Sequence, residues 1–173
     1  MVKNSPKIFP TRQRKKWQNI LQTSVANANR GAKISPSLSA VLDSNIWISA
    51  IAFGGNSEKT MLFCLEHGQI VISEDILTET TDYLRNFAGA PYKWLRTFRN
   101  SLEKLCLFVE PKTLDIPELR DQKDVHIIAS ASEGQCDFII TGDKDLLELE
   151  KYKKLQIVSP ADFLQLPFVK KNF

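Results

Sequence analysis

Beyond residue 39 the chain alternates short apolar runs with longer segments of helical period. Ala40-Val41-Leu42 is the first run, and Asp43 to Ala52 follows with helical spacing. A turn at Gly54-Gly55-Asn56 leads into a second helical segment, Ser57 to Glu66, which stops at Gly68. Gln69-Ile70-Val71-Ile72 reads as a strand, and Ser73 stands where an N-cap is wanted for a helix over Glu74 to Phe87. Gly89-Ala90-Pro91 breaks that helix before the next, Tyr92 to Lys104. Strands then follow at Leu107–Val109, Asp137–Ile140 and Leu155–Val158. Between them lie a helix over Pro117 to Ser132 and a short one over Lys144 to Leu149, and Pro160 opens a terminal turn or helix.

Five short, β-branched, continuously apolar strands that alternate with helices imply a sheet buried on both faces. The expected fold class is α/β: three α/β/α layers around a central, mainly parallel five-stranded sheet. In such folds ligands bind beyond the carboxyl ends of the strands, where the strand order reverses.

Residues 1–39 lack this pattern. Thr11–Ala28 has Trp17, Ile20 and Leu21 on one side of a possible helix, and Asn29–Ser39 is rich in small and turn residues. The expected organisation is an N-terminal arm, 1–39, partly helical or disordered, and one domain, 40–173. The charge divides at the same place. Residues 1–40 hold eight bases and no acid, so a chain of net charge +3 carries −5 over residues 41–173. A basic arm of this kind binds phosphate, lies on an anionic surface or stays solvated.

Composition excludes several classes. Hydrophobic residues at 43% and charged ones at 25% are ordinary globular usage, against disorder or a repeat array. No apolar run reaches the roughly 18 residues of a membrane span, and no signal peptide is evident, so a cytoplasmic chain without membrane contact is expected. Cys64, Cys106 and Cys136 are odd in number, widely spaced and set among apolar neighbours, as small core residues are.

The candidate chemistry is carboxylate. Asp43 ends the first apolar run and Asp143 follows the fourth, so a parallel sheet places both on one rim. Asp124 begins a stripe with Ile127, Ile128 and Ala131, and Glu79 borders the face of Ile76, Thr80 and Tyr83. Acids beside buried stripes are costly unless paired or metal-bound, and the sequence offers no matching set of bases. Mg²⁺ or Mn²⁺ suits clustered Asp and Glu, and can clamp a phosphodiester and activate water. Each acid also has a plain role: Asp43, Asp121 and Asp143 as helix caps, Glu79 as a surface acid.

These segments carry a family resemblance. Val41-Leu42-Asp43-Ser44-Asn45-Ile46-Trp47 resembles the opening motif of PIN domains, and Ser73-Glu74-Asp75-Ile76-Leu77-Thr78-Glu79 their second acidic segment. Asp121-Gln122-Lys123-Asp124 with Ile127-Ile128-Ala129 resembles the third, and Phe138-Ile139-Ile140-Thr141-Gly142-Asp143-Lys144-Asp145 the fourth. The resemblance spans about residues 40–166 and is greatest to the VapC-related toxins of bacterial toxin–antitoxin systems. It implies a metal-dependent endoribonuclease using Mg²⁺ or Mn²⁺, with Asp43, Glu79, Asp124 and Asp143 as the catalytic and metal-binding acids. The resemblance further implies auxiliary roles for Asp121 and Asp145 and supporting ones for Asn45 and Thr141. It implies an RNA substrate, a cognate antitoxin and a homodimer. Two features depart from the pattern: residues 1–39 precede the first strand, and Lys123 stands where many relatives carry an acid or a neutral residue.

Other chemistries find less support. There is no G-x-S-x-G, HExxH, P-loop or GxGxxG. His67 reads as a helix-end residue and His126 as a surface one. An aspartyl phosphotransferase wants Asp-x-Asp after the first strand, where Asn45 stands, and a receiver domain wants a Lys after the last strand, where Ser159-Pro160 stands. The remaining alternative is a non-catalytic PIN-like module that binds RNA or protein.

Overall fold

A computed structural model of the chain describes residues 9–29, 38–114, 116, 119 and 121–172, with the backbone alone for residues 122 and 123. Most of the expected linker, the expected helix start at Pro117 and the side chain of Lys123 lie outside the described residues.

The elements run α1 (Thr11–Asn29), β1 (Ser39–Leu42), α2 (Ser44–Ala52), α3 (Gly55–His67), β2 (Gln69–Ser73), α4 (Glu74–Asn86), α5 (Tyr92–Leu105) and β3 (Leu107–Val109). They continue with α6 (Gln122–Glu133), β4 (Phe138–Ile140), α7 (Lys144–Glu148), β5 (Lys151–Tyr152), β6 (Leu155–Val158), α8 (Pro160–Phe163) and α9 (Pro167–Lys170).

The sheet order is β3-β2-β1-β4-β6-β5, and every pairing but the last is parallel. Helices flank this sheet, as the alternation of apolar strands and helical segments requires. The strand count is six, not the expected five. The extra strand, β5, is two residues long and antiparallel to β6, pairing Tyr152 with Leu155 across a turn in which Lys153 takes φ 54°. Two residues followed by two lysines carry no hydrophobic period, so the strand exists only through its partner.

From β1 the chain builds outward through β2 and β3 on one side, and β4 and β6 add on the other. The order therefore reverses between β1 and β4, and the crevice for a ligand opens at their carboxyl ends. Ala40, Val41, Leu42, Ile139 and Ile140 at this seam are fully buried. That is why both strands read as unbroken apolar runs.

Two contacts fix helices that matter below. At the end of α6, a Cβ on Gly134 would sit 2.6 Å from a methyl of Val71, so only glycine lets this helix end so close to β2. α1 packs on α5, with Trp17 and Leu21 buried. The ring of Phe9 meets Trp94 edge-on at 4.8 Å, and the Trp94 indole N–H donates to the carbonyl of Arg14 at 3.1 Å. Lys16 pairs with Glu58 of α3. Among the described residues, no helix is long and apolar enough to cross a membrane.

Candidate metal centre

The first acid ends the central strand. The ladder between β1 and β4 continues one step further, with the Asp43 N–H donating to the carbonyl of Ile140 at 3.0 Å. This puts the Asp43 side chain beside Thr141. The Thr141 hydroxyl donates to Asp43 Oδ2 at 2.8 Å and accepts the N–H of Asp143 at 3.0 Å. Since that oxygen already accepts one hydrogen, its own proton goes to Asp43, and one buried hydroxyl orients both strand-end acids. The Ser44 hydroxyl donates to the other oxygen, Oδ1, at 3.2 Å. Asp43 stands at the N-cap of α2 but makes no side-chain capping bond there. Burial pushes its carboxyl above the usual range, the Thr141 and Ser44 hydroxyls pull it back, and the charge of Glu79 adds to the rise.

Asp143 does serve as a cap. Its Oδ1 accepts the N–H of Asp145 at 2.8 Å at the start of α7. The same turn brings Asp145 beside it, two residues on. Asp124, in the first turn of α6, completes the group: carboxylate oxygens of Asp124, Asp143 and Asp145 lie within 4.8 Å of one another.

Asp124 is buried, while Asp143 is half-buried and Asp145 exposed. Burial is the largest cause that pushes the Asp124 carboxyl up to about 6. The charges of Asp143, Asp121, Asp145 and Asp43 raise it further. Among the described residues, every charge that shifts Asp43 or Asp124 is another carboxylate. The four principal acids thus share one field, although only Asp124 and Asp143 of them join the tight cluster. Asp43 sits one hydroxyl away, behind Thr141, and exposed Glu79 on α4 acts on Asp43 through its charge. Asp121 is exposed just before α6, and Asn45 is exposed in the first turn of α2.

The donors fit a hard divalent cation. Oxygens around an ion at roughly 2.1 Å lie no more than about 4.2 Å apart. The carboxylate oxygens of Asp124, Asp143 and Asp145, within 4.8 Å of one another, lie close to that spacing. No thiol competes for the role: burial pushes all three cysteines up to about 12, and all are free. His126 lies outside the cluster, on the surface, with Nδ1 3.2 Å from Asp75.

A family model described as PIN domain matches residues 39–145, more than half of the chain. The chain belongs to the PIN domain family. The match begins at the first residue of β1 and leaves α1 outside it. PIN domains are generally metal-dependent nucleases, and this PIN domain carries an acidic cluster able to hold an ion at its strand-order reversal. No curated protein and no solved structure matches the chain significantly.

One residue of the rim, Ser44, was not singled out from the sequence, and one that was, Ser73, does not cap as expected. Ser44 binds Asp43, and the Asp-Ser pair at the end of an apolar run is a signal of sorts. Ser73 ends β2 at the N-cap position of α4, but its hydroxyl makes no capping bond. It is fully buried and has no hydrogen-bond partner among the described residues, so the expected side-chain cap is absent. Propensity selects the position and cannot say where the hydroxyl turns.

Proposed function

We propose that this PIN domain is a metal-dependent endoribonuclease that hydrolyses RNA phosphodiesters in the cytoplasm and serves as the toxin of a toxin–antitoxin pair. The observation that carries the hydrolytic reading is the buried Asp124 carboxyl, pushed up to about 6 beside Asp143 and Asp145, where among the described residues every charge that shifts it is another acid. A carboxyl raised in this way by burial and by neighbouring acids gains most from a bound cation.

Asp124, Asp143 and Asp145 would hold Mg²⁺ or Mn²⁺, with Asp43 and Glu79 completing the acidic set and Asp121 flanking it. A cation held by these residues would supply the positive charge that stabilises a phosphodiester under attack and makes water a better nucleophile. Thr141 and Ser44 aim Asp43 by donating to both of its oxygens. The N–H of Asp145 fixes the Asp143 carboxylate through Oδ1. Asn45, exposed at the start of α2, and Thr141 are the polar side chains that would support the site. The toxin role, the cognate antitoxin and a homodimer rest on the resemblance of the four acidic segments to VapC-related toxins.

The test is cleavage of mixed single-stranded and structured RNA with Mn²⁺, with Mg²⁺ and with EDTA. Metal-dependent cutting is expected, and Asp43→Asn and Asp143→Asn should each lower it by more than about 100-fold with the fold intact by circular dichroism. Unchanged turnover in either variant would remove its assigned role. No cutting by folded protein with either metal would favour the non-catalytic binding module.

A further inference from the structure

α1 lies outside the residues matched by the family, yet it builds one wall of a groove along α5. Two recesses of about 390 and 410 Å³ lie between the helices. The first is lined by α1 from Thr11 to Gln18 and the second from Gln22 to Asn29, and Thr97 of α5 borders both. The lining positions of α1 recur every three or four residues, so they form a single face, and the two recesses run end to end. At 1.5 Å per residue this wall is about 27 Å long.

The lining chemistry is uniform in sign. Arg14, Lys15, Lys93, Arg96 and Lys104 line the groove, and no acid does. None of these five pairs with a carboxylate among the described residues, whereas nearby Lys16 and Arg99 do. Between the bases stand amides that can both donate and accept: Gln18, Gln22, Asn29 and Asn100. Tyr92, flanked in sequence by groove residues Pro91 and Lys93, is 76% exposed and offers a free ring. Arg99 donates to both oxygens of Glu74, at 2.8 and 2.7 Å, and Glu74 directly follows the carboxyl end of β2. The helix that carries the groove is thereby pinned to the rim that bears the acids.

Bases that track a line, hydrogen-bonding amides between them and an exposed aromatic ring are what a single nucleic-acid strand meets in proteins that hold it by its backbone. We propose that the α1–α5 groove binds the sugar–phosphate backbone of single-stranded RNA, as the portion of substrate lying away from the cleavage centre. This inference rests on the ribonuclease reading for the identity of the strand.

The experiment is fluorescence anisotropy of a labelled single-stranded oligoribonucleotide with the full chain in EDTA, where no cleavage competes. The exposed pair Lys15→Gln/Arg96→Gln should weaken binding about tenfold in low salt and flatten the slope of log affinity against log salt by about 1.4, two phosphate contacts' worth. Tyr92→Ala should weaken it at least about fivefold with the salt slope unchanged. Equal affinity and equal slope in the double variant would overturn the groove, as would failure of the wild type to bind. Cleavage with Mn²⁺ on the same proteins separates the two readings. Groove-dependent binding without cutting would sink the hydrolase and keep the groove; cutting with groove-independent binding would do the reverse.

Discussion

The acidic rim and the basic groove are opposite in more than sign. The rim gathers its carboxylates at the one place where the strand order reverses, and buries Asp43 and Asp124 as it does so. The groove spreads its bases along two helix faces, with Lys15, Lys93, Arg96 and Lys104 in solvent. Burial makes the difference. Like charges in water cost little and are screened by salt, whereas burial beside other carboxylates pushes a carboxyl such as Asp124 well above its usual range. The rim is therefore a site that demands a counter-charge of fixed position. The groove tolerates its own charge and attracts an extended partner of the opposite sign.

The largest expected effect that can break this division comes from α1. Trp17 is fully buried and joins α1 to the rest of the molecule. Trp17→Ala should lower unfolding free energy by about 3–5 kcal/mol in urea unfolding. At low temperature, where the variant remains folded, it should lose RNA affinity in EDTA but keep its response to Mn²⁺. Loss of the Mn²⁺ response as well would show that the two regions are not separable.

A smaller effect sharpens the account of the rim. The Asp124 carboxyl is raised from 3.8 to about 6, so the metal-free native state holds its proton more tightly than the unfolded chain. Between those values the native state binds more protons, and unfolding free energy falls as pH rises through the interval. Asp124→Asn removes that cost. In metal-free protein the variant should be more stable than the wild type at pH 8, by up to about 3 kcal/mol, and no more stable at pH 4. A variant less stable than the wild type at pH 8 would mean that Asp124 is paired rather than repelled.

Much of the rim was legible in the sequence because strand-end residues of a parallel sheet have their position set by topology. Asp43 and Asp143 each close an apolar run, and β1 and β4 are neighbours. Asp124 was legible as an acid on an otherwise apolar helical stripe. Asp145 was harder to weigh, because an acid in the first turn of a helix looks the same whether it answers the helix dipole or faces other acids. Only the turn at Asp143 places its carboxylate with the cluster. β5 was invisible because pairing with β6, not pattern, makes it a strand. The groove is half legible: Lys93, Arg96 and Arg99 recur every three residues in the sequence, but spacing along one helix does not reveal which helix lies against it. Arg99 proved to be spent on Glu74 and Glu103.

The central claim is that the rim is built to hold a divalent cation, and thermal unfolding with added Mn²⁺ tests it most directly. Ligand that binds only the native state raises the transition temperature, and it must displace protons from the carboxylates to do so. The account predicts a clear upward shift for the wild type at pH 8, a much smaller one at pH 5 where Asp124 is mostly protonated, and little at either pH for Asp143→Asn. An absent shift at pH 8, or an equal shift in Asp143→Asn, would contradict it.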